Sequence, residues 1–330
     1  MKDLCFLTLH QFFSRLELNT NSNCNYLLEA NSIRYNKYYN LISYFHSFDY
    51  TKPTIVLATS IFNSPEIWFL NGQNTILHNI LPNCNFYLIE WKYIEEESFT
   101  LDDYALQIAE IIEELAILHK KKVNLIGHCI GGTLALAASI IKQQYLEELL
   151  LVTPPWDFSH FCQFAMWAKD YKVLDSLLNL KHIPHSFFQI FFFLFSQECI
   201  FKKNMQFTKL KTEERQKIFL AVEQWQMSGE HIPRGSFLQL LDDLILQNTA
   251  KSNLWLINNY TIKPKLLSSF VTLVFATHDK IVPLSSIESL AEELPNNRIY
   301  EIDSGHLGFL IGSKTTEFNQ FLLNWTKNLN

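Results

Sequence analysis

Short apolar runs and longer amphipathic segments alternate along much of this chain. The first run, Thr54–Ala58, is β-branched and bounded by Pro53 and polar residues, which is typical of a buried strand. Similar runs predict further strands at residues 86–91, 123–126, 149–152, 271–276 and 298–302. Apolar positions at helical spacing predict helices at residues 101–118, 285–294 and 314–329, and one directly after residue 129. Thr100 is the expected N-cap of the first helix, with Asp103 three residues on.

One long segment departs from this alternation. Residues 157–255 lose strand character and become aromatic and helical. The alternation on either side implies a mostly parallel sheet with helices on both faces. We therefore expect an α/β core made of residues 1–156 and 256–330. Residues 157–255 would be a helical cap inserted over the carboxyl ends of the strands, where open α/β sheets bind ligands.

The composition excludes several classes of protein. The 330 residues are 48% hydrophobic and 18% charged, which excludes a disordered chain, and a net charge of −6 does not favour nucleic acid as a partner. The most apolar run, residues 187–195, is too short for a transmembrane segment, and the N-terminus lacks signal-peptide features. The six cysteines form no C-x-x-C pair, so we expect no zinc site, reduced thiols and a cytoplasmic location.

Residues 127–131, Gly-His-Cys-Ile-Gly, have the spacing of a nucleophile elbow with Cys129 at its tip. The motif follows a predicted strand and opens a predicted helix. The positive end of that helix favours the thiolate form of a cysteine, and the N–H of Ile130 is the expected first oxyanion donor. The alternative is that Cys129 is an ordinary buried cysteine beside glycines that serve helix packing.

An acid and a histidine follow later in the order that such an elbow requires. Asp279 comes just after the predicted strand at 271–276, and His306 lies on the loop before the last helix. We expect His306 to take the thiol proton and Asp279 to orient the imidazole. Asp157 also follows a strand and is the competing candidate for the acid. His128 adjoins the nucleophile, but adjacency alone does not give its side chain reach to the sulfur.

These motifs resemble those of the poly(3-hydroxyalkanoate) synthases, most of all the short class III catalytic subunit. Residues 127–134 resemble that family's cysteine lipase-like box, and the resemblance runs from about residue 50 to residue 330. The other similar stretches are residues 100–104, 157–159, 225–248, 279–283 and 304–306. The resemblance implies an α/β-hydrolase fold with a Cys129–His306–Asp279 triad. It also implies that Cys129 accepts an acyl group from a hydroxyacyl-CoA and passes it to a growing polyester.

The sequence departs from the family at several positions. Residues 59–64, Thr-Ser-Ile-Phe-Asn-Ser, replace the family's P-P-W-I-N-K loop, which would supply the second oxyanion donor, here at Ser60. His128 stands where an aromatic residue is usual, Lys280 replaces a histidine and Ser304 a glycine. We take His128 and Trp156 as candidate substrate-binding residues, although core packing is the alternative for Trp156.

Three functional hypotheses follow. The first is a cysteine acyltransferase that polymerises 3-hydroxyacyl-CoA, with no cofactor. The family resemblance adds a second synthase subunit or a homodimer, and a location at the surface of polyester granules. The second is a hydrolase of thioesters or lactones. The third is a non-catalytic protein that binds granules or a partner, suggested by the altered loop at residues 59–64. The phenylalanines within residues 187–195 would form the core of the cap, or an apolar face for polyester.

Overall fold

The structure, a computed structural model, describes residues 30–70, 76–162, 166, 177–189 and 207–329. An eight-stranded sheet lies at the centre of these residues. Its strands are β1 (Ser32–Tyr35), β2 (Tyr39–Ser43), β3 (Thr54–Ala58), β4 (Asn85–Trp91), β5 (Val123–His128), β6 (Leu146–Val152), β7 (Phe270–Ala276) and β8 (Asn297–Ile302). They lie in the order β1-β2-β4-β3-β5-β6-β7-β8. The β1–β2 and β2–β4 pairs are antiparallel, and all the others are parallel.

All the strands predicted from apolar runs are present in this sheet. β3, β5 and the carboxyl half of β6 are buried throughout, as expected for parallel strands covered by helices on both faces. β5 is longer than predicted and continues through Gly127 to His128, so that it ends directly at Cys129. The antiparallel strands β1 and β2 were not predicted. All residues of β1 are exposed, so it carries no apolar alternation.

Helices cover both faces of the sheet. The helices with defined bounds in the described residues are, in chain order, α1 (Ile76–Ile80), α2 (Leu101–His119), α3 (Ile130–Ile141), α4 (Glu213–Met227), α5 (Arg234–Gln239), α6 (Leu284–Glu293), α7 (Gly308–Ile311) and α8 (Thr315–Lys327). One apolar cluster packs α2, α3 and α6 against the sheet, and a second packs α1, α7 and α8. The predicted start of α2 is confirmed, because Thr100 and Asp103 form a reciprocal capping box.

The described parts of residues 157–255 lie between β6 and β7 and are mainly helical. They contain a short 3-10 turn at Phe158–Phe161, helices α4 and α5, and a π-helical continuation at Leu240–Leu246. A two-residue strand pair, His182–Ile183 with Ile232–Pro233, also lies here and was not predicted. We call this region the cap. No helix in the described ranges has the length and apolar character needed to span a membrane.

Ser286 on α6 fixes the point where the chain enters the cap. Its hydroxyl accepts hydrogen bonds from the backbone N–H groups of Trp156 and Asp157 at 2.9 and 3.0 Å. It also donates to the carbonyl oxygen of Asp157 at 3.0 Å. Three bonds to one side chain hold the end of the segment after β6 against the core. The cap therefore starts from a defined position beside the carboxyl ends of the strands.

Candidate active site

Cys129 occupies a sharp turn between β5 and α3. Its backbone has φ 55° and ψ −133°, a conformation that costs a residue with a side chain about 1–3 kcal/mol. Its N–H donates to the carbonyl of Val152 on the neighbouring strand β6, at 2.9 Å. The thiol therefore stands at the N-terminus of α3, where the first N–H groups have no partner within the helix. Cys129 is 8% exposed.

Two glycines permit this turn. A Cβ on Gly127 would lie 2.6 Å from the Cα of Gly132, which is closer than real contacts allow. A Cβ on Gly131 would lie 2.2 Å from the carbonyl oxygen of Thr59. The elbow motif therefore reflects close packing of backbone against backbone, of α3 on β5 and on the loop after β3. The sequence-based interpretation of these glycines agrees with the structure.

His306 and Asp279 form a direct pair. Nδ1 of His306 lies 2.6 Å from Oδ2 of Asp279, and both side chains are almost fully buried. The other carboxylate oxygen of Asp279 accepts hydrogen bonds from the N–H groups of Ile281 and Val282, at 2.8 and 2.9 Å. The carboxylate is thus held from three directions. Because Nδ1–H donates to Asp279, Nε2 of the ring is the nitrogen that can exchange a proton with a neighbour.

His306 interacts with the side chain of Cys129. Burial acts to lower the pKa of His306, but the charges of Asp279 and Cys129, and hydrogen bonds with both, raise that pKa well above its usual value. A raised pKa favours the imidazolium form near neutral pH. The arrangement has the acid–base–nucleophile order of a cysteine-dependent acyl-transfer site.

The competing acid, Asp157, lies elsewhere. It caps the 3-10 turn that opens the cap, where it accepts from the N–H of Ser159 at 3.0 Å and from Nδ2 of Asn248 at 2.9 Å. Burial acts to raise the pKa of Asp157, but hydrogen bonds from Ser159 and Asn248 outweigh it and lower that pKa. Asp157 therefore helps to build the cap, and the structure places Asp279, not Asp157, on His306.

Trp156 and His128, the two candidate substrate-binding residues, both lie buried in the core. Trp156 is fully buried, and its indole N–H donates to Glu293 at 3.2 Å. His128 is also buried: its Nδ1 accepts from the indole N–H of Trp68 at 3.3 Å, and its ring stacks on His306 with centroids 5.8 Å apart. Burial lowers the pKa of His128 to about 3, with His306 adding to the effect, so the ring is neutral. Neither side chain lines the cavity beside Cys129.

That cavity has a volume of about 50 Å³ and is lined by apolar side chains around Cys129. The core contributes Phe62, Ile130, Pro155, Ile281 and Val282, and the cap contributes Phe158, Phe161, Phe187, Phe188, Phe237, Leu240, Leu241 and Ile245. Of the aromatic run predicted to build the cap, Phe187 and Phe188 are therefore in the lining. Phe191, Phe192, Phe193 and Phe195 lie outside the described residues. Phe62 and Phe237 of α5 were not predicted as lining residues, because only the folded chain brings them to the sulfur.

The remaining described cysteines differ from Cys129. Cys84 is buried, its thiol donates to the carbonyl of Ile80, and burial raises its pKa to about 12. Cys162 is half-buried, and like Cys84 it is not in a disulfide. Among the described residues, no group of three or more His, Cys, Asp or Glu side chains is arranged to hold a metal ion.

Comparison with known proteins places this architecture in a family. A family model described as the α/β hydrolase fold matches residues 72–313. The chain belongs to the α/β hydrolase family. Solved structures agree on the fold: a naproxen esterase from Bacillus subtilis superimposes with a TM-score of 0.55 at 14% identity, over 94% of this chain and 96% of that one. An enol-lactonase from Burkholderia xenovorans superimposes with a TM-score of 0.52 at 12% identity, over 88% of this chain and 97% of the lactonase.

Curated relatives of this α/β hydrolase are poly(3-hydroxyalkanoate) polymerase subunits PhaC. The subunit from Haloferax mediterranei is 20% identical over 278 residues, which cover 79% of this chain and 56% of the relative. The subunit from Synechocystis is 22% identical over 281 residues, which cover 79% of this chain and 73% of the relative. The chain thus spans little more than half the length of the haloarchaeal relative. The predicted resemblance to polyester synthases is confirmed at this level of similarity.

Proposed function

We propose that this α/β hydrolase is a cysteine acyltransferase that builds a polyester from hydroxyacyl-CoA thioesters. The observation that carries the proposal is the placement of Cys129 at a helix N-terminus, beside a buried His306–Asp279 pair and facing an apolar cavity. Similarity to PhaC subunits supports a hydroxyacyl thioester as the substrate class.

Acylation of Cys129 would proceed in two steps, with His306 first accepting a proton and then returning it. The thiol proton of Cys129 passes to Nε2 of His306, and the sulfur attacks the thioester carbonyl of the substrate. The N–H groups of Ile130 and Ser60 are the proposed donors to the oxyanion. When the carbon–sulfur bond to CoA breaks, His306 returns the proton to the departing thiolate. The products are an acyl-cysteine and free CoA.

Chain growth would use the same groups in the reverse sense. His306, now neutral, accepts the proton of a hydroxyl group on a second hydroxyacyl unit. The hydroxyl oxygen attacks the acyl-cysteine, an ester bond forms, and the thiolate of Cys129 leaves and recovers a proton from His306. A site that excludes water favours this outcome over hydrolysis. A partner subunit and attachment to polyester granules belong to the same proposal, on the strength of the family resemblance.

The test is incubation with 3-hydroxybutyryl-CoA. We expect CoA release and insoluble polyester from the wild type, and neither from Cys129→Ala. CoA release with a free hydroxy acid as the sole other product would identify a thioester hydrolase, an activity consistent with the esterase and lactonase structures that share the fold.

Site-resolved alkylation separates both enzymes from a non-catalytic protein. Iodoacetamide at neutral pH should modify Cys129 much faster than Cys84, which is the internal control because burial raises the pKa of its thiol. Equal, slow labelling of both cysteines would contradict any role of Cys129 as a nucleophile.

A further inference from the structure

The loop after β3, residues 59–64, lies between the elbow and the cap. On the elbow side, α3 approaches so closely that a Cβ on Gly131 would lie 2.2 Å from the carbonyl oxygen of Thr59. On the cap side, a Cβ on Gly229 would lie 2.4 Å from the carbonyl oxygen of Phe62. The loop is therefore in backbone contact with both neighbours at once, and each contact requires a glycine. We call residues 59–64 the oxyanion loop, because the proposed function assigns its Ser60 N–H to the oxyanion.

Asn63 joins this loop to the end of helix α4 in the cap. Its Nδ2 donates to the carbonyl oxygens of Trp225 at 3.2 Å and Ser228 at 3.0 Å. These carbonyls lie at the C-terminal end of α4, where Ser228 is the C-cap residue, and that of Trp225 also accepts from the N–H of Ser228 at 3.2 Å. In return, the indole N–H of Trp225 donates to the carbonyl of Ser64 at 2.8 Å. These three hydrogen bonds cross between the cap and the loop and connect them.

An aromatic contact reinforces the same junction. The ring of Phe62 lies 4.7 Å from the ring of Phe188, measured between centroids, and both rings line the cavity beside Cys129. Within the loop, Ser60 Oγ accepts from the N–H of Phe62 at 3.2 Å, so the position of Ser60 depends on that of Phe62. A displacement of the cap end of the loop would therefore be passed on to Ser60.

We propose that Asn63 is a positioning residue that couples the cap to the oxyanion loop, so that the Ser60 N–H is aligned only while residues 225–229 sit on the loop. This inference rests on the proposed function. Its physical basis is that oxyanion donors act through preorganisation, and a displacement of about 1 Å lowers a rate by roughly 10²-fold. The side chain of Asn63 touches neither substrate nor sulfur in this scheme and acts through the backbone of the loop.

The test compares two reactions of the same sulfur in Asn63→Asp (N63D). Alkylation by iodoacetamide forms no oxyanion, whereas acylation by a thioester does. The carboxylate introduced by N63D has the shape of the amide but cannot donate to either carbonyl, so we expect acylation to fall at least about tenfold. Alkylation of Cys129 should stay within about twofold of the wild type, because the nucleophile and its base are untouched.

Asn297→Asp is the matched control. Nδ2 of Asn297 also donates to two backbone carbonyls, those of Ala291 and Leu294, both at 2.9 Å, at the end of helix α6. N297D should lower stability by a similar amount and leave both rates unchanged. Asn63→Ala is the second variant, because it removes the donor without adding a carboxylate, and it should show the same selective loss as N63D.

The outcomes distinguish this inference from the proposed function. Wild-type acylation rates in N63D and N63A, or an equal fall in acylation and alkylation, would overturn the positioning role. If the wild type does not react with 3-hydroxybutyryl-CoA, the proposed function fails, and the comparison is made with p-nitrophenyl acetate, whose acylation also forms an oxyanion. No acylation by either substrate would overturn both.

Discussion

Gly131→Ala probes the contact between the elbow helix and the oxyanion loop directly. The added Cβ would lie 2.2 Å from the carbonyl oxygen of Thr59 and 2.5 Å from its carbon. Both are backbone atoms, so no flexible side chain can move aside. Either α3 or the loop after β3 must shift, and the shift falls on the strand end that precedes Ser60.

The size of the effect follows from this distance. Ordinary van der Waals contact requires a separation near 3.4 Å, so the backbones must move apart by about 1 Å. Overpacking of this kind costs about 1–3 kcal/mol, and the gain of about 1 kcal/mol from alanine in a helix offsets part of it. The same displacement at an oxyanion donor lowers acylation by roughly 10²-fold. The rate should therefore suffer more than the free energy of unfolding.

Gly235→Ala is the matched control for this variant. Gly235, like Gly131, is the second residue of a helix, and its Cβ would lie 2.6 Å from the carbonyl oxygen of Ser98. Both variants should unfold at lower urea concentration than the wild type. Only G131A should lose CoA release from 3-hydroxybutyryl-CoA by roughly 10²-fold. Equal rates for the two variants would refute the reasoning, because the clash would then have no specific consequence beside Cys129.

Three further outcomes are expected. Asp279→Asn should lower the acylation rate by about 10²–10⁴-fold. Because Asp279 raises the pKa of His306, the alkaline limb of the pH–rate profile should also move to lower pH. An unmoved limb would contradict the pairing of Asp279 with His306. Ser286→Ala leaves two backbone N–H groups without their acceptor and should cost about 2–4 kcal/mol in urea unfolding, whereas Ser285→Ala, at an exposed hydroxyl, should cost under about 0.5 kcal/mol. Leu241→Trp should fill the cavity of about 50 Å³ and block acylation by 3-hydroxybutyryl-CoA more strongly than alkylation by iodoacetamide; an equal loss of both would argue against an acyl pocket.

Local signals account for the parts of the fold that could be predicted. The start of α2 was predictable because Thr100 and Asp103 satisfy each other within one turn. β3 was predictable because a short run of β-branched residues bounded by turn residues is typical of a strand. β1 was missed because its residues are exposed and are ordered by pairing with β2. That pairing is tertiary information, and periodicity does not carry it.

The candidate site likewise contains some residues that the local sequence identifies and others that it does not. Gly127 and Gly131 identify the elbow in the sequence because a side chain at either position would collide with neighbouring backbone atoms. Asp279 was the expected acid and Asp157 its competitor, because both follow strands; the distance to His306 separates the two. His128 could not be assigned to the core, because the Trp68 indole that pairs with it is 60 residues away in the chain. The roles of these polar side chains depend on partners that are distant in the chain and cannot be identified from the local sequence.

The lining of the cavity bears on the choice between hydrolysis and transfer. Every side chain around Cys129 in that lining is apolar. A water molecule in this cavity would find no hydrogen-bonding side chain in the lining other than the thiol of Cys129. A hydroxyl carried on a second acyl unit brings apolar surface that the phenylalanines can bind, which water does not. In the proposed scheme, this lining would therefore favour an acceptor hydroxyl that carries an apolar chain over water.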